Sequence, residues 1–185
     1  DPTPSGRERT RRLFSTVNRH AVPVSKGEIV ALDEDDAFAV VTRQLVEFYD
    51  SLKGHRVAYS RKPNLPSSEP RAVTNILGLY DVVQIVNWPQ LTGGAKALKA
   101  FLARRPSDKV LEYIFAQQTE FWDVLQRCVP PIKEVIRAKE EDNAAAQYRT
   151  EEGGHLLLRP AGLKAFARAV RVLMNRGKSI EGAVK

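Results

Sequence analysis

The sequence predicts a mainly α-helical fold, an irregular multi-helix domain with at most a few short strands, and three features lead to that reading. Apolar residues recur at three- and four-residue steps in several separate segments. Acidic, hydroxyl or amide residues stand just ahead of most of those segments, where the free first-turn amides of a helix need acceptors. Prolines and glycines fall between them, where chain direction must change.

The opening Asp1 to Gly6 is rich in Pro, Ser and Gly and reads as a frayed start. From Thr10 the chain turns apolar through Leu13, Phe14 and Val17 and reaches Pro23, a piece compatible with a short helix or a strand ending near His20. Asp33 to Asp36 supply a helix start, and Val40, Val41, Leu45 and Phe48 continue it at helical spacing to about Ser51. Gly54 to Pro70 is expected to be a long connection, with Val57 to Tyr59 as its one short strand. Thr74 or Asn75 caps the next helix, whose Ile76, Leu79, Tyr80, Val83 and Val86 share a face until Pro89 ends it. Gly93 and Gly94 introduce a short helix through Leu98 to Leu102.

The clearest element follows. Ser107 or Asp108 caps a helix in which Val110, Leu111, Ile114, Phe115, Gln118, Phe121, Trp122 and Leu125 form one broad stripe to about Arg127. An aromatic stripe at this spacing reads as core before it reads as a base-stacking platform. Pro130 and Pro131 then open a shorter helix with Ile132, Val135 and Ile136, which gives way to a polar run from Ala138 to Gly154, expected to be a mobile surface loop. Pro160 suits the first turn of a last helix, because its missing amide proton would be unpaired there anyway. Leu163, Phe166, Ala167, Val170, Leu173 and Met174 are its buried face and Gly177 its stop, while Lys164, Arg168 and Arg171 lie along another face, where they either keep an outer helix solvated or grip phosphates. Residues 1–12 are read as a flexible basic arm and 13–185 as a single domain.

With 185 residues, 43% hydrophobic and 28% charged, the chain can bury a real core. No stretch has the length of apolar residues a membrane helix requires, nor does the start resemble a signal peptide, so a cytoplasmic protein with no membrane partner is expected. The single Cys128 cannot form an internal disulfide and no Cys/His pair has zinc-site spacing. The only methionine is Met174, and without an initiating Met the chain is expected to be a piece of a longer protein.

The net charge of +7 is segmental: +4 over residues 1–27, −6 over 28–50, +4 over 51–72 and +4 over 151–185. Segmental basic charge points to a polyanionic partner more strongly than a uniform excess does. Arg7, Arg9, Arg11 and Arg12 form the best local signal, since alternate arginines on an arm can follow a phosphate backbone. Arg19, Lys26, Arg56, Arg61 and Lys62 extend the candidate nucleic-acid-binding set, with DNA as the expected partner. No helix-turn-helix spacing is legible. His20, His55 and His155 are scattered, no Walker loop, dinucleotide fingerprint or zinc-peptidase motif is present, and Glu140, Glu141 and Asp142 read as solvated. No catalytic residue, metal site or cofactor is assigned.

The segment from Arg11 to Glu47, RRLFSTVNRHAVPVSKGEIVALDEDDAFAVVTRQLVE, carries in order Phe14, Asn18-Arg19, Pro23, Ser25 and an acidic run opening a helix with Arg43. It resembles the stretch downstream of the signature motif in the DGQHR-domain family of DndB-like DNA-modification and defence proteins, itself similar at greater distance to the ParB/sulfiredoxin superfamily. Weaker similarity continues through Thr74-Asn75 to Tyr80 and from Phe121 to the Pro160 helix. The DGQHR pentapeptide is not in this sequence. The resemblance implies the C-terminal portion of such a domain, a DNA-binding or regulatory component of a bacterial DNA-modification or defence system, with protein partners from that system. It also implies a nucleotide contact at Asn18 and Arg19, where an amide oxygen can meet a hard cation and a guanidinium a phosphate. On the residues alone, Asn18 equally serves as a local backbone acceptor and Arg19 as a partner of the acidic run. A fragment of a ParB-like nucleotide-dependent enzyme and a helical assembly module remain the alternatives. Enzymatic activity is left open, and none is expected from this chain alone.

Overall fold

The computed structural model describes residues 6, 8–10, 12–13, 25–60, 64–65, 69–91, 94–150 and 153–185, without the side chains of 89–91. The fold is mainly helical with only short strands. Its helices are α1 (Lys26–Leu32), α2 (Ala37–Phe48), α3 (Ile76–Leu91), α4 (Gly94–Leu102), α5 (Asp108–Cys128), α6 (Pro130–Arg137), α7 (Pro160–Asn175) and α8 (Ile180–Val184). The described residues between 6 and 13 are helical as well. β1 (Val57–Ala58) pairs in parallel with β2 (Thr74–Asn75), placing Val57 beside Thr74, and β3 (Arg149–Thr150) pairs antiparallel with β4 (Gly153–Gly154).

Local chemistry explains the starts. Ser25 and Glu28 form a capping box at α1: the Ser25 hydroxyl accepts from the Glu28 amide at 3.3 Å and the Glu28 carboxylate accepts from the Ser25 amide at 2.7 Å. The acidic run is a helix start. Asp36 Oδ1 accepts from the amides of Phe38 at 2.8 Å and Ala39 at 3.1 Å, capping α2. Asn75 Oδ1 accepts from the Gly78 amide at 2.7 Å at the head of α3. At the other end of the chain, Gly177 with φ of 88° closes α7, its amide donating to Met174 and that of Lys178 to Leu173.

The core is a layered helix packing. α3 lies against α7 along most of its length and also touches α1, α2 and α5. α5 packs against α2 on one side and against α6 and α8 on the others. Ile114, Phe121, Trp122 and Leu125 of α5 are fully buried, and the Phe121 and Trp122 rings meet edge to face at 5.9 Å. Burying side chains of this size contributes roughly 1.5 to 3 kcal/mol each by transfer arithmetic. Phe115, expected in the same face, is half-buried at its margin.

Three local expectations are corrected. α3 runs through Pro89 to Leu91. A proline crowds the preceding turn and lacks an amide, but here so little helix follows that the lost bonds fall where the helix ends anyway. The polar run 138–154 is not a featureless loop. It holds 3₁₀ turns at Glu140–Asp142 and Ala146–Tyr148 and the β3–β4 pair, and it buries Ala145. What organises it is Arg149, whose guanidinium donates to the carbonyls of Leu158 at 2.6 Å, Glu69 at 3.0 Å, Val73 at 3.3 Å and Ala72. Burial there, with Arg159 nearby, pushes the Arg149 pKa down to about 10. Third, Lys164 and Arg171 do not belong to a solvated face of α7, since Lys164 is paired with Asp81 at 2.9 Å and Arg171 is buried.

Candidate nucleic-acid interface

Of the residues the sequence selects, Arg7, Arg11, Asn18, Arg19, Arg61 and Lys62 lie outside the described residues. Arg9 and Arg12 are exposed. Arg12 reaches Glu8 one turn back at 3.3 Å, a pair so open to water that it contributes little stability and leaves the guanidinium accessible. Arg9 has no carboxylate within ion-pair distance among the described residues.

Lys26, though exposed, and Arg56 are both engaged by partners within the fold. The Lys26 ammonium binds Asp81 and stands 4.9 Å from the centre of the Tyr80 ring. Asp81 therefore serves two ammoniums, Lys26 from α1 and Lys164 from α7, and ties both helices to α3. Arg56 Nε donates to the Ile136 carbonyl at 2.5 Å and its Nη1 to the Lys53 carbonyl at 3.2 Å, fixing the turn before β1 against α6.

The acidic run is equally occupied. Asp33 Oδ1 accepts from the amides of Asp35 at 2.8 Å and Asp36 at 3.0 Å, while Glu34 binds Arg43 at 2.7 Å and Arg105 at 2.9 Å. Arg43 also donates to the carbonyls of Val30 at 2.8 Å and Asp33 at 2.9 Å, locking α1 to α2. Among the described residues no group of three His, Cys, Asp or Glu side chains could hold a metal ion. A cavity of 590 Å³ lies between α1, α2 and the chain after β1, lined by Val30, Val46, Ile76, Tyr59, Arg43 and Glu47.

One basic element was missed in the segment arithmetic. From residue 82 to residue 107 the sequence holds Lys96, Lys99, Arg104 and Arg105 and no carboxylate at all, a signal readable without a structure. The structure makes this stretch the second part of α3, then α4 and its exit, and all four cations fall in α4 and its exit. Phe101 anchors the helix, its ring 5.6 Å from that of Phe38 and 6.0 Å from that of Trp88. Lys96 and Lys99, three residues apart and so on one face, are exposed with Arg104, and among the described residues none of the three has an ion-pair partner. Arg105 alone is spent, on Glu34.

No family model, curated protein or solved structure matches this chain. No described helix is long and apolar enough to cross a membrane.

Proposed function

We infer that this chain contacts the phosphate backbone of DNA, as a binding or regulatory component of a bacterial DNA-modification or defence system. The observation that carries the reading is the uncompensated basic face of α4 and its exit, Lys96, Lys99 and Arg104, set on a helix anchored through Phe101. Cations held without carboxylate partners repel one another and are relieved by a polyanion, whose condensed counterions are released on binding. Exposed Arg9 and Arg12 give a second basic segment at the other end of the sequence. The assignment to a modification or defence system rests on the resemblance of the Arg11 to Glu47 segment to DGQHR-domain proteins. A helical assembly module docking through the Trp122 helix is the weaker reading, because Trp122 and Phe121 are consumed by the core.

Backbone contact without base reading makes a specific demand on affinity. Binding to unrelated duplexes of equal length is expected to be similar and to fall steeply with salt, each phosphate contact adding about 0.9 to the slope of log affinity against log salt. Replacing Lys96, Lys99 and Arg104 together by Ala is expected to flatten the slope by up to about 2.7 units, with the melting temperature unchanged since all three are exposed. A parent chain that does not bind duplex DNA even at low salt would overturn the proposal.

A further inference from the structure

We propose that the depression between the last turns of α5 and the outer face of α6 is an oxyanion site for a phosphate group. It measures 250 Å³ and is lined by Asp123, Gln126 and Arg127 from α5 and by Lys133 and Arg137 from α6. Three cations thus face one carboxylate. The carboxylate is already engaged: Asp123 Oδ1 accepts the phenol proton of Tyr49 at 2.5 Å. Burial and this bond push the Tyr49 pKa upward, so the phenol remains a donor.

The nearby acids are spent elsewhere. Glu134, on α6 itself, accepts from Gln147 and from Tyr148, each at 2.6 Å. Glu181 of α8 is held by Lys185 at 2.8 Å and reaches Arg127 at 4.0 Å, at the limit of an ion pair, from outside the depression. Lys133 and Arg137, one helical turn apart on α6, have no carboxylate within ion-pair distance among the described residues. Like charges at this spacing repel, and a bound dianion that attracts both offsets the repulsion. Arg56 adds to the field through its bond to the Ile136 carbonyl, next to Arg137.

The floor of the site is rigid. Gln126 Nε2 donates to the Ser51 hydroxyl at 3.1 Å, to the Trp122 carbonyl at 3.2 Å and to the Tyr49 hydroxyl at 3.3 Å, binding the α5 wall to the turn at Asp50–Leu52. Two guanidiniums offering paired donors and one ammonium acting as a point charge suit a tetrahedral oxyanion. The opening is too small and too polar for an extended apolar ligand, and a phosphate fits whether free, in a monoester or in a nucleic-acid backbone. The site shares no residue with the α4 face and does not depend on DNA being the partner there.

The test is a titration of inorganic phosphate into the isotope-labelled full chain, followed by nuclear magnetic resonance of the arginine side-chain Nε–H groups, against chloride at matched ionic strength. Saturable shifts at Arg127 and Arg137, with a dissociation constant on the order of millimolar, are expected, lost in K133A/R137A and retained in K96A/K99A. The exposed K133A/R137A pair is expected to melt with the parent, which separates lost binding from lost fold. A second arm replaces phosphate with a short DNA duplex: displacement of phosphate from the same signals assigns the site to a phosphodiester, and saturation by phosphate alone assigns it to a free phosphate or monoester. Shifts no larger than with chloride, or equal shifts in K133A/R137A, would sink the proposal.

Discussion

Tyr80 donates its phenol proton to Asp36 Oδ2 at 2.7 Å, while the other oxygen of the same carboxylate caps α2 through the amides of Phe38 and Ala39. One buried carboxylate thereby fixes where α2 begins and how α3 lies across it. Tyr80→Phe removes only the hydroxyl and leaves Asp36 Oδ2 buried without this donor. A loss of about 1 to 3 kcal/mol in unfolding free energy is expected. Asp36→Ala removes the cap as well and is expected to cost more, and the double variant should cost less than the sum of the two, because the shared bond is lost only once. Denaturant unfolding of the four proteins measures this, and strictly additive effects would show that the two side chains do not interact.

Alkaline pH provides a separate reading of the same contact. Burial first, then the hydrogen bond to Asp36, holds the Tyr80 phenol above its ordinary range, and burial with Asp123 does the same for Tyr49. A raised folded pKa means that the unfolded phenol ionises first. Stability is therefore fully present below the ordinary phenol pKa of about 10 and falls as pH climbs above it. For the buried Tyr80 the decline approaches about 1.4 kcal/mol per pH unit, while the part-exposed Tyr49 contributes less because water screens it. Phenolate absorbance should show Tyr49 and Tyr80 ionising only with unfolding, and Tyr80→Phe should flatten the alkaline loss of melting temperature.

Two glycines mark close approaches that a methyl group would block to different extents. A Cβ on Gly162 of α7 would lie 2.1 Å from the Leu156 carbonyl oxygen, and one on Gly78 of α3 would lie 2.6 Å from the Thr74 hydroxyl and 3.3 Å from Pro160 Cβ. Backbone cannot rotate away as a hydroxyl can. Gly162→Ala is expected to cost about 3 kcal/mol or more and Gly78→Ala about 1 to 2 kcal/mol, measured by chemical denaturation. The reverse order would show that the turn at Leu156–Leu158 is more yielding than its contact with α7 implies.

The helices were legible where their determinants are local. The α5 stripe, the Asp36 cap and the Gly177 stop are all set by residues within a few positions of one another, and each stands where periodicity and capping place it. Arg149 was not legible, because all its bonds go to backbone carbonyls at Leu158 and in the 69–73 segment, and no side-chain pattern announces a carbonyl cluster. The same holds for Lys26 and Lys164, which converge on Asp81 from opposite ends of the sequence. Spacing alone groups Lys164, Arg168 and Arg171 on one solvated face, yet tertiary packing gives them three different environments. By contrast, the carboxylate-free stretch that becomes α4 was open to inspection, and charge summed over other windows passed over it.

Those three α7 cations yield the sharpest test of which arginines meet a polyanion. Arg171 is 7% exposed, donates to the Val86 carbonyl at 3.0 Å and to Asn175, and burial holds its pKa down. Removing it takes one donor from the Val86 carbonyl and leaves a gap between α7 and α3. Arg171→Ala is therefore expected to lose about 2 to 3 kcal/mol, or roughly 5 to 10 °C in melting temperature for a chain of this length. Any fall in DNA affinity from it follows from the fold. Arg168 is exposed with no ion pair among the described residues, so Arg168→Ala should leave the melting temperature alone and alter the salt slope by at most about 0.9. Replacing Arg9, Arg11 and Arg12 together by Ala should flatten that slope by up to about 2.7 units, again without a thermal cost, because the described members of the trio, Arg9 and Arg12, are exposed. Salt titrations of duplex binding beside melting curves for the three variants separate these outcomes. A slope change for Arg168→Ala equal to that of the N-terminal triple would show a diffuse field spread over the whole surface in place of a basic arm.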